Sequence, residues 1–313
     1  MQEHGPKDRS AAVSGRTVER ARAALADLIE QPLEAGLYLV ATPIGNLGDI
    51  SLRALAVLAR AQLIAAEDTR HSRKLLSHFG IGGELTAYHE HNAARERPRL
   101  IARIRAGSAV ALISDAGTPL ISDPGYRLVR EALDEGLKVI SLPGPSATLA
   151  ALTSVGLPTD TFLFAGFLPT KSGPRRRRLG ELKAVPATLV LFESAPRLAK
   201  SLADMAAVLG PREAALAKEL TKLHETVTRG TLDGLAAELA QIEDQKGEFV
   251  VVIAPPLPEE IEIGDERIVA QLQEALEAES FRDAVRNVAE MLGVKRSRVY
   301  ELGLLLARGK RDQ

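Results

Sequence analysis

The sequence predicts an α/β protein. It reads as two consecutive α/β domains over residues 36–156 and 157–256, preceded by an extension over 1–35 and followed by a linker and small helical module over 257–313. Three observations predict this. Short apolar runs such as Ala109–Ile113 and Phe249–Ala254 read as buried strands. Amphipathic stretches with helical spacing lie between them, and that alternation argues for a largely parallel sheet flanked by helices. Most strand candidates end abruptly in loops rich in Gly, Pro, Ser, Thr and charged residues, which is where open α/β sheets place ligand sites.

The elements follow in order. Residues 1 to about 15 show no apolar periodicity and read as disordered. Arg16–Ile29 reads as one helix, with Val18, Ala21, Leu25, Leu28 and Ile29 sharing a face. The main body opens with a strand at Leu37–Ala41, the turn Thr42–Gly48, a helix at Ser51–Ala59 and a strand at Leu63–Ala66. A helix around Arg73–His78, another at Asn92–Ala106 and the strand Ala109–Ile113 come next. The helix Tyr126–Glu135 stops at Gly136, a residue suited to a helix C-terminus, and a strand at Lys138–Leu142 runs into Pro143–Ala147. In the second domain Thr161–Ala165, Thr188–Phe192, Ala214–Ala217 and Phe249–Ala254 read as strands, the last ended by Pro255-Pro256. Helices are expected at Arg197–Leu209 and Leu232–Ile242, and Leu257–Gly264 is a proline-and-acid linker. Phe281–Arg308 reads as a helix–turn–helix, with Ala289, Gly293 and Val299 at its small, turn and buried positions.

Composition narrows the function classes. The net charge is −1, so overall charge predicts no nucleic-acid partner, although a local basic patch still can. Cysteine is absent, which excludes disulfides, thiolate catalysis and Cys-ligated metal centres, and fits a cytoplasmic protein. No apolar run approaches the length of a membrane span. The G-x-G-x-x-G, P-loop and G-x-S-x-G fingerprints are missing, which disfavours standard nicotinamide, ATP and α/β-hydrolase enzymes.

The most informative stretch is Ser114–Gly125, directly after the strand Ala109–Ile113. It holds two Pro and two Gly that shape the backbone, and two Asp and three hydroxyl residues that supply polar contacts. Thr42–Asn46, Glu67–His71, Pro143–Ala147, Glu193–Pro196 and Lys218–Lys222 also follow strand candidates. Alone, each of these loops is a turn; together, at the ends of strands in one sheet edge, they can converge.

These motifs carry a resemblance. Leu39–Leu47, Ala66–Arg70, His89–Asn92, Ser114–Gly125, Leu142–Ser146, Gly166–Pro169, Glu219–Lys222 and Lys246–Glu248 resemble the motifs of the ribosomal RNA small subunit methyltransferase I family. That family lies in the tetrapyrrole-methylase-like class of S-adenosylmethionine-dependent methyltransferases. The likeness covers about residues 36–254 and continues more weakly through the tail. It implies two α/β domains of the tetrapyrrole-methylase type with the methyl donor in the cleft between them. It also implies methylation of the ribose 2′-hydroxyl of a cytidine in the decoding region of 16S rRNA, a 30S partner, a homodimer and no metal.

Donor contacts implied by the resemblance are Thr42, Pro43 and Ile44; Asp115, Ala116, Gly117, Thr118, Pro119 and Leu120; Ser146 and Ala147; Phe192, Glu193 and Ser194; and Ala217 and Leu220. Small residues such as Ala116 and Ala147 leave room for a bulky cation. Methyl transfer is an in-line displacement in which positioning supplies much of the catalysis, and a ribose hydroxyl benefits from a general base. Asp68, Asp115, Glu193 and Glu219 are the candidates for that base. Lys218 and Arg70 are candidates for stabilising developing oxyanion charge or holding a phosphate.

Two departures matter. After Phe192-Glu193-Ser194 the family continues Pro-His-Arg, whereas this chain has Ala195-Pro196-Arg197, so no histidine role carries over. Lys218 stands where the family commonly has Arg, which keeps charge without bidentate geometry. The dense basic run Arg175, Arg176, Arg177 and Arg178, preceded by Lys171, is expected to contact RNA phosphate, as are Lys295, Arg296 and Arg298 of the tail. His89 and His91 could share a strand face, but no third metal ligand stands near them, and RNA contact or structural hydrogen bonding is the preferred reading. The alternatives are a precorrin-type tetrapyrrole methylase of the same fold and a non-catalytic RNA-binding protein. The basic run and tail favour RNA over a tetrapyrrole, and the set of strand-end loops favours an enzyme.

Overall fold

The computed structural model describes residues 7–240, 246–257 and 264–309. The chain divides into two compact units, residues 1–255 and 256–313. The first unit begins with a helix, α1 (Lys7–Glu30), followed by two five-stranded sheets.

The first sheet is built from β1 (Gly36–Val40), β2 (Leu63–Ala66), β3 (Leu85–Ala87), β4 (Ala109–Ile113) and β5 (Val139–Leu142) in the order β3-β2-β4-β1-β5. All its pairs are parallel, with Leu37 opposite Val110 and Leu63 opposite the same residue on the other side. Alternation along each strand sends side chains to both faces. Tyr38, Val40, Ala111 and Ile113 pack under α2 (Leu52–Arg60) and α3 (Thr69–His78). Leu37, Val110 and Leu112 pack against α4 (Ala93–Arg105) and α5 (Tyr126–Asp134). Burial on both faces explains why these strands read as continuous apolar runs.

The second sheet comprises β6 (Phe162–Phe167), β7 (Thr188–Ser194), β8 (Glu213–Lys218), β9 (Thr226–Thr231) and β10 (Glu248–Ile253), ordered β6-β7-β10-β8-β9. Only β6 and β7 are parallel; β10 is inserted antiparallel between β7 and β8, and β9 is antiparallel to β8. One face is covered by α7 (Ser172–Leu182), α8 (Ala195–Leu209) and α9 (Leu232–Leu239). The other face is covered by α6 (Ala147–Ser154), whose Ala151 and Leu152 are buried against Val190, Ala215, Val250 and Val252. α6 follows β5 in sequence, so the chain leaves the first sheet through Pro143-Gly144-Pro145 and caps the second. The expected boundary at residue 156 falls after this helix.

Two expectations are corrected, and a third lies outside the described residues. Residues 7–15, expected to be disordered, continue α1; the segment lacks an apolar stripe, yet its Ala and Arg residues favour helix without one. The short edge strands β3 and β9 and the helices α6 and α7 were not legible as elements; α6 is Ala-, Leu- and Thr-rich with no polar face to betray its period. The expected end of α9 at Ile242 and most of the linker 257–264 lie outside the described residues.

Among the described residues the second unit holds three helices, α10 (Asp265–Ala275), α11 (Phe281–Leu292) and α12 (Arg296–Gly309). Ile268, Leu272, Val285, Val288 and Val299 form its core. The helix–turn–helix reading is matched locally: Gly293 is left-handed (φ 65°) at the end of α11, and Ala289 and Val299 are buried. A Cβ at Gly303 would lie 2.7 Å from the Phe281 ring, so α12 approaches Phe281 closely only because that position is Gly.

Candidate active site

The carboxyl ends of the first sheet's strands are tied into one scaffold. Thr42 and Gly117 exchange two backbone hydrogen bonds of 2.9 Å, joining the loop after β1 to the loop after β4. The Thr42 hydroxyl donates to the Ser114 carbonyl at 3.1 Å, and the Thr118 hydroxyl donates to the Pro145 carbonyl at 3.1 Å. Gly117 needs its left-handed φ of 80°, and Leu120 and Ser122 are also left-handed at φ 73° and 68°. Left-handed non-glycine residues are strained, so tertiary contacts must hold this loop. Leu120 does so by packing into the core between β4 and α5.

A cavity of about 440 Å³ lies where this scaffold meets the second sheet. From the first side Ile44, Glu67, the 115–118 segment, Asp123 and the start of α6 line it; from the second, Phe167, Phe192, Ala217, Leu220 and Gly247–Val250 do. Ser146 caps α6 by accepting the Leu149 N–H at 3.4 Å. The Thr148 hydroxyl is buried at the cavity without a hydrogen-bond partner among the described residues. The aromatic wall is built by Phe192, edge-on to Phe164 at 4.9 Å and to Phe167 at 5.6 Å.

Most expected donor-contact residues meet here: Ile44, Asp115, Ala116, Gly117, Thr118, Ser146, Ala147, Phe192, Glu193, Ser194, Ala217 and Leu220 all line the cavity. Thr42 and Pro43 instead line a second cavity, which shares Asp115 with the first. Pro119 lines neither, and Leu120 points into the core.

The expected catalytic set fares differently. Asp68 caps α3, accepting the Arg70 N–H at 2.8 Å, and Arg70 is 91% exposed in its side chain. The Glu193 carboxylate is fully buried and fully engaged: it accepts from the Ser194 N–H at 2.9 Å and the Ser201 hydroxyl at 2.5 Å, and pairs with Arg197 at 3.1 Å. Glu219 accepts the Glu248 N–H at 2.9 Å and pairs with Lys222 at 3.1 Å. Those contacts, the backbone N–H first, hold its pKa below the usual carboxylate range. Lys218 lies over the Phe249 ring, 5.7 Å from its centre. Asp68, Arg70, Lys218 and Glu219 do not line the cavity. Capping and pairing therefore account for three of the four carboxylates expected as bases.

Apart from the fully engaged Glu193, the carboxylates that line the cavity are Glu67, Asp115 and Asp123, together with Glu248 at its far wall. Asp115 accepts the Asp68 N–H at 3.0 Å. Burial pushes Asp123 up to about 6, helped by the nearby Glu67 and Asp115 charges and opposed by the Ser114 hydroxyl. Burial and the Asp115 charge also raise Glu67, against a lowering effect of His89. Glu67 and Asp123 sit inside motifs already singled out, but nothing in the spacing tells which Asp of Ser114–Gly125 faces inward. Lys246–Glu248 is one of the resemblance motifs, yet Gly247–Val250 carries no expected site role, because an antiparallel strand brings its beginning, not its end, to this edge.

The basic groups separate as well. Arg175 is 4% exposed; its guanidinium pairs with Asp204 at 2.7 Å and donates to the Thr170 carbonyl at 2.9 Å. It is a core anchor of α7, not a group free to meet RNA. Arg178 pairs with Glu181 at 2.8 Å and Arg176, though exposed, lies 3.7 Å from Asp204, while Lys171 and Arg177 are exposed. In the second unit Lys295 and Arg296 are exposed, and Arg298 pairs with Asp265 at 2.6 Å.

Two mixed α/β layers with a cavity at their strand edges define a methylase fold, and the chain belongs to the family of tetrapyrrole (corrin/porphyrin) methylases, which matches residues 36–236. Its relatives narrow this. It is 54% identical to a ribosomal RNA small subunit methyltransferase I of Mesorhizobium japonicum, over 86% of this chain and 92% of that one. It is 48% identical to the Pseudomonas aeruginosa protein of the same name, over 86% and 96%. The chain falls in the ribosomal RNA small subunit methyltransferase I branch of the family. Solved structures share the fold: diphthine synthase (TM-score 0.54, 19% identity, 70% of this chain and 89% of that one) and uroporphyrin-III-C-methyltransferase of Thermus thermophilus (0.50, 22%, 74% and 98%).

Proposed function

We propose that the chain transfers the methyl group of S-adenosylmethionine to the ribose 2′-hydroxyl of a cytidine in the decoding region of 16S rRNA, with the 30S subunit as substrate and a homodimer as the active species. The observation that carries this reading is the convergence of twelve resemblance-implied donor contacts on one cavity, in a chain 54% identical to a methyltransferase named for small-subunit rRNA.

The cavity suits the donor. Ile44, Phe192 and Leu220 offer an apolar wall to a purine, Ala116, Ala147 and Ala217 keep the space open, and the orphaned Thr148 hydroxyl awaits a polar partner. When bound, the donor supplies an electrophilic methyl on a sulfonium. The Glu67, Asp115 and Asp123 carboxylates give the cavity a negative side that favours a cation.

Asp123 is the proton acceptor in this reading, replacing the four carboxylates expected from the sequence. It faces the cavity, and a pKa of about 6 leaves it mostly ionised at neutral pH yet basic enough to take a proton from the acceptor hydroxyl. The rigid strand-end scaffold supplies orientation. Lys171, Arg176 and Arg177 on the first unit and Lys295 and Arg296 on the second supply phosphate contacts.

The test offers labelled S-adenosylmethionine with unmethylated 30S subunits, naked 16S rRNA or uroporphyrinogen, and maps the label. Label on a cytidine 2′-oxygen of the 30S subunit supports the reading. Label on the tetrapyrrole, or on no acceptor, overturns it.

A further inference from the structure

The second cavity, of about 320 Å³, has a lining unlike the first. It lies between the loop after β1, which contributes Thr42 and Pro43, and α3, which contributes His71, Ser72, Lys74 and His78. Residues 71, 74 and 78 stand at i, i+3 and i+7, one face of a helix. All three are exposed, so their donors are free to turn toward a ligand. Beneath them Ser72 is 2% exposed, and its hydroxyl has no hydrogen-bond partner among the described residues. A hydroxyl in that position is costly unless something bound there pairs with it. The N-terminus of α3 is already closed by Asp68, so the feature is a cavity of side chains and not a helix end.

An ammonium, two imidazoles and a buried hydroxyl make a donor-rich lining. The one opposing charge is Asp115, and one of its oxygens is held by the Asp68 N–H. Such a lining fits an oxyanion with several acceptor oxygens. Asp115 is also the one residue that both cavities share, so a ligand in the second lies beside a ligand in the first.

We infer that the second cavity holds the backbone phosphate that adjoins the acceptor nucleotide, contacted by Lys74, His71, His78 and Ser72. The inference rests on the rRNA reading: a single RNA strand would place its acceptor ribose in the first cavity and the neighbouring phosphodiester in the second. Lys74 and its neighbours thus position the strand and do not take part in the methyl transfer.

The test uses the full chain and unmethylated 30S subunits. In Lys74→Gln, KM for the subunit is expected to rise about three- to tenfold, more than kcat falls, and the slope of log affinity against log salt is expected to drop by about one. Donor affinity by calorimetry and the melting temperature stay at wild-type values, which separates the effect from misfolding. A second arm uses an RNA oligonucleotide of the acceptor sequence carrying a neutral methylphosphonate at the adjoining linkage. The wild type loses affinity for it; Lys74→Gln, having already lost the contact, loses no more. Should Lys74→Gln and the Lys74→Gln, His78→Gln double variant keep the wild-type KM and salt slope while the wild type methylates 30S subunits, the inference fails and the rRNA reading stands. Absence of label on 30S subunits with the wild type fells the reading first. A KM effect confined to uroporphyrinogen assigns the cavity to tetrapyrrole carboxylates and overturns the phosphate assignment.

Discussion

The two sheet edges that meet at the first cavity handle negative charge in opposite ways. On the first sheet's edge Glu67, Asp115 and Asp123 crowd toward the cavity, and burial with mutual repulsion raises Glu67 and Asp123. On the second sheet's edge Glu193 is locked by Ser194, Ser201 and Arg197, and Glu219 by Glu248 and Lys222. The carboxylates of one edge are left to act on a ligand; those of the other are fastened to hold the edge in place. Chemical type alone does not separate the two sets, because partners decide the role.

The sharpest way to break this comparison is Asp123→Asn. It removes the proton acceptor while keeping shape, so kcat should fall by roughly 10²- to 10⁴-fold, with donor affinity by calorimetry changed little. The wild-type rate should rise with pH through about 6 and then level, and the variant should lose that step. Stability gives an independent check. A carboxyl raised in the folded state favours folding below its unfolded pKa and loses that contribution as pH rises through about 6. Asp123→Asn should therefore match the wild type in acid and be the more stable of the two at pH 8. Glu219, held low, behaves oppositely: its contribution is present at neutral pH and lost only as pH falls through its lowered pKa. Wild-type kcat in Asp123→Asn would move the proton acceptor to Asp115, a candidate from the sequence, or to Glu67, which also lines the cavity.

Glu193→Ala tests the other edge. It leaves the Ser201 hydroxyl, the Ser194 N–H and Arg197 without their shared partner in a buried setting, which costs roughly 3–5 kcal/mol. Chemical denaturation would measure it. A stable variant with abolished turnover would instead make Glu193 catalytic and erase the contrast between the edges.

How much of this could be read in the sequence follows from the same contrast. The first edge was legible because in a parallel sheet each strand runs directly into the loop that forms the site, so Ile44, Asp115–Thr118 and Ser146 sit where a strand-then-loop pattern puts them. The second edge was only half legible. Phe192 and Ala217 end their strands there, but Gly247–Val250 arrives from a strand threaded antiparallel between β7 and β8, a pairing no local pattern announces. Arg175 shows another limit. Four consecutive arginines look alike in sequence, yet helical rotation carries one inward to Asp204, and that partner is far along the chain.

Gly247→Ala probes the threading itself. Gly247 has φ 106°, and a Cβ there would lie 2.9 Å from the Glu219 carboxylate and its Cγ. The substitution should cost about 1–3 kcal/mol of stability from the strained backbone and weaken donor binding by displacing the start of β10 at the cavity. Unchanged stability would mean that Glu219 is not fixed where its bonds to Glu248 and Lys222 put it.

The smallest expected effect concerns the basic run. Arg177 is exposed on α7 beside the buried Arg175, so Arg177→Ala should change stability by no more than about 0.5 kcal/mol. If it meets an RNA phosphate, the same variant should lower the salt slope of 30S binding by about one. Arg175→Ala should do the reverse. Its loss takes from the largely buried Asp204 its closest charge partner, leaving the Ser172 hydroxyl and the more distant Arg176, so stability falls while the salt slope of the folded protein stays at the wild-type value. Measured together, the pair separates two roles within three residues of one helix. Equal salt slopes in wild type and Arg177→Ala would shift the RNA contact away from α7, toward Lys295 and Arg296 of the second unit, where the same measurement can be repeated.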